Sequence, residues 1–85
     1  MEYKSGVATV DTDWTEIAPT FDIEMWSVYP TDGDVLVQMY DKNNWGDTIY
    51  GYSGIGMGDS YDCQKIRVKA VSTDVIIAYY MKNTI

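Results

Sequence analysis

Apolar residues in this chain recur at every second position, and no window of ten or more residues shows helical spacing with start and stop signals. Side chains that alternate in this way fall on opposite faces of an extended strand, whereas a helix needs a period near 3.6. The segment TFDIEMWSVYP sets Phe21, Ile23 and Met25 against Thr20, Asp22 and Glu24. In DVLVQMYD, Val35, Val37 and Met39 oppose Leu36, Gln38 and Tyr40. QKIRVKAV turns Ile66, Val68 and Ala70 inward and Lys65, Arg67 and Lys69 outward, and DVIIAYYM is β-branched or aromatic on both faces. Shorter candidates span 5–10, 14–18 and 47–52. Between them lie turn-forming stretches: DTD at 11–13, TDGD at 31–34, KNNWGD at 42–47, a glycine-rich run, and STD at 72–74. The pattern predicts an all-β fold, a small antiparallel β-sandwich or barrel of about seven short strands, in one domain over residues 1–85. No internal repeat, low-complexity tract or linker stands out.

Charge narrows the function classes. The formal net charge is −7, which repels nucleic acid phosphates and anionic lipid, so neither is an expected partner. Cys63 is the one cysteine, so no intramolecular disulfide forms and folding in a reducing cytoplasm is expected. The opening MEYKSGVATV has no apolar run of signal-peptide length, and no stretch approaches the roughly 18 apolar residues of a membrane span.

The run GYSGIGMGDSYD, residues 51–62, raises the question of a phosphate cradle. Such a cradle needs a helix N-terminus after the glycines, where free N–H groups converge on the anion. Here Asp59, Asp62 and an alternating segment follow instead, so the run reads as a flexible connection between strands. Ile55 and Met57 are apolar residues on it and mark a possible docking loop.

Catalysis finds no residue set. Histidine is absent, which removes the commonest general base and any Ser-His or Cys-His nucleophile. Cys63 lies beside Asp62, whose charge opposes thiolate formation, and reads as a small buried hydrophobe. One thiol and no histidine exclude structural zinc, and neither Asp11/Asp13 nor Asp32/Asp34 matches a calcium loop. No enzyme, cofactor or metal is expected. NNWGDTIYGY offers Trp45, Tyr50 and Tyr52 beside polar residues as a candidate glycan platform, against the plainer reading that they cap and pair across the sheet.

Two-sided strands are the stronger clue. A chain of this size has one core, so one face of each sheet should be polar. Yet Ile76 and Tyr80 stand opposite Val75, Ile77 and Tyr79, and Trp26 and Val28 fall out of phase with Phe21, Ile23 and Met25. Either a β-bulge near Met25 absorbs the shift, or Trp26, Val28, Ile76 and Tyr80 form a second apolar surface for a partner.

A bridge-free acidic β-domain that opens SGVATVDTDWTEI, passes through DIEMWSVYPTDGDVLVQM and closes KIRVKAVSTDVIIAYY resembles small virion proteins of tailed phages. These include capsid decoration (auxiliary head) proteins and short β-sandwich modules of head fibres and tails. The resemblance is one of pattern across nearly the whole chain. It implies a non-catalytic structural protein, often a trimer, that contacts other capsid or fibre subunits and assembles in the host bacterial cytoplasm. The alternatives are a carbohydrate- or receptor-binding module of a fibre or tail, and a small acidic inhibitor of a host protein.

Overall fold

In the computed structural model of the chain, residues 1–84 are described, and they form nine strands and no helix. The strands are β1 (Glu2–Val10), β2 (Thr15–Ile17), β3 (Met25–Pro30), β4 (Val35–Asp41), β5 (Asn44–Trp45), β6 (Ile49–Gly51), β7 (Met57–Asp59), β8 (Lys65–Ala70) and β9 (Val75–Asn83). One sheet has the order β1-β9-β3-β7, and the other runs β2-β8-β4-β5 with β6 also pairing β4. Every pairing is antiparallel. The fold is therefore all-β as expected, and of the two expected forms it is the sandwich, with nine strands where about seven were read because β5 and β7 are only two and three residues long.

The two sheets close on one core. Val28, Val75, Ile77 and Met81 from the first sheet meet Val35, Val37, Ile66 and Val68 from the second, all at most 2% exposed. Trp26, 1% exposed, is the largest of the fully buried side chains. Its indole N–H finds no acceptor among the described residues, which costs about 1–3 kcal/mol against the apolar burial of the ring. Trp26 and Val28 thus belong to the core and not to a second apolar surface, which corrects the outward placement.

The phase shift that suggested that placement is taken up where β3 begins. The Glu24 N–H donates to the Lys82 carbonyl while Met25 also stands opposite Lys82. Two residues face one, the geometry of a β-bulge, so Ile23 and Trp26 both turn inward although they are three apart. The same device recurs at β8. There the Gln64 N–H donates to the Tyr40 carbonyl, which already faces Lys65, and both Cys63 and Ile66 turn inward.

That recurrence belongs to a repeat that the alternation pattern hides. A shift of forty residues carries β3 onto β8 and β4 onto β9, with Asp22/Asp62, Val28/Val68, Asp34/Asp74, Val35/Val75 and Tyr40/Tyr80 identical. β1 flanks β9 as β5 and β6 flank β4, and β2 pairs β8 as β7 pairs β3. Each sheet therefore interleaves strands of both halves. Ile23 and Cys63 are equivalent residues, and they pair with each other through reciprocal hydrogen bonds of 2.8 and 3.0 Å, on the pseudo-two-fold axis.

The glycine run is not slack. Ser53 N–H donates to Asp34 Oδ1, Gly54 N–H donates to the Pro30 carbonyl, and residues 57–59 add β7 to the edge of β3. Gly54 takes φ of +76°, which the turn requires. At Gly58 a Cβ would strike the Trp26 carbonyl, so only glycine lets β7 lie this close to β3. At the β4–β5 hairpin, Lys42 and Asn43 both have positive φ, the signature of a two-residue type I′ turn.

Candidate functional site

The two outer faces of the sandwich are chemically unlike. On the first sheet, alternation along β1, β9 and β3 sends every second side chain away from the core. The rows running across the strands are Thr9 and Ile76; Val7, Ala78 and Tyr29; Ser5, Tyr80 and Ser27; then Tyr3, Lys82 and Met25. Val7 is 73% exposed, Tyr3 66%, and Ile76 and Tyr29 44% each. Tyr3 stacks on Tyr80 with ring centroids 6.4 Å apart. Lys82 is the one charge in these rows, and none of the chain's thirteen carboxylates lies among them.

The second sheet turns out Lys65, Arg67 and Lys69 from β8, with Leu36, Gln38 and Tyr40 from β4 alongside. Arg67 lies over two indoles, its guanidinium carbon 4.5 Å from the Trp14 ring and 4.1 Å from the Trp45 ring. Gln38 Oε1 accepts from both Arg67 Nε and Nη2, at 2.8 and 2.6 Å. Lys69 Nζ sits 4.7 Å from the Trp14 ring, and Lys65 Nζ 4.7 Å from Tyr40. Lys65 pairs with Glu16, which stands opposite Arg67 in the β2–β8 register; it is the one ion pair among the described residues, and neither Arg67 nor Lys69 has a carboxylate within ion-pair distance. Half of the six cations thus stand in one row on one strand of an acidic chain.

The sequence candidates divide between these surfaces. Ile76 and Tyr80 lie on the outer face of the first sheet, where Val7, Tyr3, Tyr29 and Ala78 join them and Trp26 and Val28 do not. Ile55 is 60% exposed at the tip of the glycine turn, but Met57 packs against the core from β7 and is no part of an exposed loop. The aromatic platform splits. Trp45 joins the cation row and meets Tyr40 edge-on at 4.9 Å. Tyr50 and Tyr52 form their own pair at 4.8 Å. Tyr50 Oη donates to Asp34 Oδ2 at 2.7 Å, and the Ser53 N–H and this hydroxyl together hold the Asp34 carboxyl below its ordinary range. The outward placement of Lys65, Arg67 and Lys69 was legible in the alternation, but their grouping with Trp14 and Gln38 into a site was not. The signal for the row itself was Lys-x-Arg-x-Lys on one strand face of a chain with few cations.

An open cleft of about 700 Å³ lies at the end of the sandwich, lined by Asp22, Glu24, Asp41, Asp62, Cys63 and Lys82 among others. Burial, then the charges of Asp41, Asp59 and Asp62, push the Cys63 thiol up to about 11, so it stays protonated and a poor nucleophile. Among the described residues, no three His, Cys, Asp or Glu side chains are grouped to hold a metal ion. No family model matches the chain, and no curated protein or solved structure is significantly similar to it.

Proposed function

We propose that this protein is a non-catalytic structural component that works by self-association through the outer face of β1, β9 and β3. The virion setting follows the pattern-level resemblance to tailed-phage decoration and head-fibre proteins. The observation that carries the reading is that the outward rows of β1, β9 and β3 hold no carboxylate, in a chain with thirteen of them, the acids Asp32 and Glu24 standing at their ends beside Ile76 and Lys82. Two copies of a chain of charge −7 repel each other over most of their surfaces. They can meet closely only where no acid is brought against another, and this face satisfies that condition. Val7, Ala78 and Tyr29 would form the apolar centre, with Ser5, Ser27 and Lys82 as its polar rim.

Size supports the reading. The molecule extends 36 by 23 Å along its two longer axes, so its broad side can supply the roughly 800 Å² per partner of a standard interface. At about 25 cal/mol per Å² of apolar area, burial of this kind offsets the entropy cost of association when aromatic anchors sit at the centre. Tyr29 and Tyr80 are those anchors. The test is the solution mass across a concentration series: a multiple of 9.7 kDa that collapses to the monomer in Ile76→Glu supports the proposal.

The aromatic arrangement favours this over a glycan-binding module. One face of Trp45 is covered by the Arg67 guanidinium, and Tyr50 is tied to Asp34, so the three rings do not make one platform.

A further inference from the structure

We infer that the outer face of the second sheet is a docking site for an extended acidic peptide segment of a partner protein, whose carboxylates at alternate positions engage Arg67 and Lys69.

Three observations carry this. First, Arg67 is held in place before any ligand arrives. Its guanidinium carbon lies over both the Trp14 and Trp45 rings, and Gln38 takes Nε and one N–H of Nη2. Nη1 has no carboxylate partner, and a fork immobilised in this way loses little entropy on receiving one. Second, Lys69 is two residues along the same strand, on the same face, with its cation over Trp14 and also without a carboxylate. Alternate residues of a strand are about 7 Å apart. An extended peptide with an acid at every second residue has that same repeat, so its carboxylates fall in step with the cations. Third, the pseudo-two-fold equates Lys65, Arg67 and Lys69 with Met25, Ser27 and Tyr29 of the apolar face. Equivalent positions of one repeat thus carry opposite chemistry, which sets this face apart from the surface used for self-association. The inference does not depend on that proposal.

Phosphate spacing along a nucleic acid strand is similar, but a strand of bases needs open aromatic faces for stacking. Here cations lie over Trp14 and Trp45. The net charge of −7 also opposes a dense polyanion more strongly than a short acidic peptide.

The test is a titration at low salt with a synthetic peptide of alternating glutamate and serine, read by tryptophan fluorescence and calorimetry. Saturable binding is expected, weakening as salt is raised. Lys69→Met, which keeps the contact with Trp14, and Arg67→Met should each weaken it about tenfold or more, a loss typical of one charge-assisted hydrogen bond. Ile76→Glu, on the opposite face, should leave it unchanged. Absence of saturable binding, wild-type affinity in Lys69→Met, or equal or tighter binding of oligothymidylate would overturn the inference.

Discussion

The outer faces of the two sheets occupy equivalent positions of one repeat and have diverged in chemistry, most of all between β3 and β8. Ile76, Ala78 and Tyr80 on one correspond to Leu36, Gln38 and Tyr40 on the other, and Met25, Ser27 and Tyr29 correspond to Lys65, Arg67 and Lys69. The inner faces have not diverged in kind. Trp26 and Ile66, Val28 and Val68, Val35 and Val75, and Val37 and Ile77 are all buried hydrophobes. The core tolerates change only within the limits of packing, since any polar or charged replacement there is left desolvated. The surface has no such restraint, so its chemistry follows what it touches. The rows of one face hold a single charge, Lys82, and the other gathers three cations beside aromatic rings, two of them with no carboxylate within ion-pair distance.

The largest expected effects test the part of the comparison that the halves share. Trp26→Ala and Ile66→Ala, at equivalent core positions, should each cost about 2–5 kcal/mol in urea unfolding. A loss below about 1 kcal/mol at either site would show that the two halves do not contribute alike to the core. A smaller effect is expected where the faces differ. Arg67→Ala removes two cation–π contacts and two hydrogen bonds and should cost about 1–3 kcal/mol. Ser27→Ala, at the equivalent position, should stay within about 0.5 kcal/mol. Equal costs would mean that the cation row adds nothing to stability.

Two pH effects are smaller still. Hydrogen bonds from Ser53 and Tyr50 lower the Asp34 pKa, and those from Thr84 lower that of Glu24. A carboxyl depressed on folding adds stability above its unfolded pKa, about 4, and that stability is lost as pH falls through the folded value. Tm should therefore drop below about pH 4, and Asp34→Asn should flatten part of the drop. The Cys63 thiol is shifted the other way, to about 11. Its contribution is complete below the unfolded thiol pKa, about 8.5, and is lost as pH rises through the folded value. Native protein at neutral pH should resist iodoacetamide, with alkylation appearing only on unfolding.

Much of this fold was legible because strand alternation reports burial directly. Val35/Val37 and Ile66/Val68 point inward as their spacing demands. Alternation is ambiguous where a bulge adds a residue: the change of phase between Ile23 and Trp26 allows either a bulge near Met25 or an outward Trp26, and the partner Lys82 shared by Glu24 and Met25 decides for the bulge. The repeat was hidden for a related reason. Its identities, such as Asp34/Asp74 and Tyr40/Tyr80, are sparse, and the equivalence lies in backbone geometry that many sequences satisfy. β7 was concealed because glycine, needed at Gly58 for close approach, is also the residue of loops. At the candidate sites, Ile76 and Tyr80 were identifiable from two-sided apolarity. The Trp14–Arg67–Trp45 stack joins three strand regions distant in sequence, and only the pairing of β2 and β5 beside β8 and β4 brings them together.

The most direct test of the central claim is light scattering on the wild-type chain, Ile76→Glu and Leu36→Glu over the same concentration series. These substitutions put one carboxylate at equivalent places on the two faces. Wild type and Leu36→Glu should give the same oligomer, while Ile76→Glu should remain at 9.7 kDa and still unfold in one cooperative transition, at a Tm that no longer depends on concentration. A wild-type chain that stays monomeric at the highest concentration, or an oligomer that Ile76→Glu leaves intact, would contradict self-association through the apolar face.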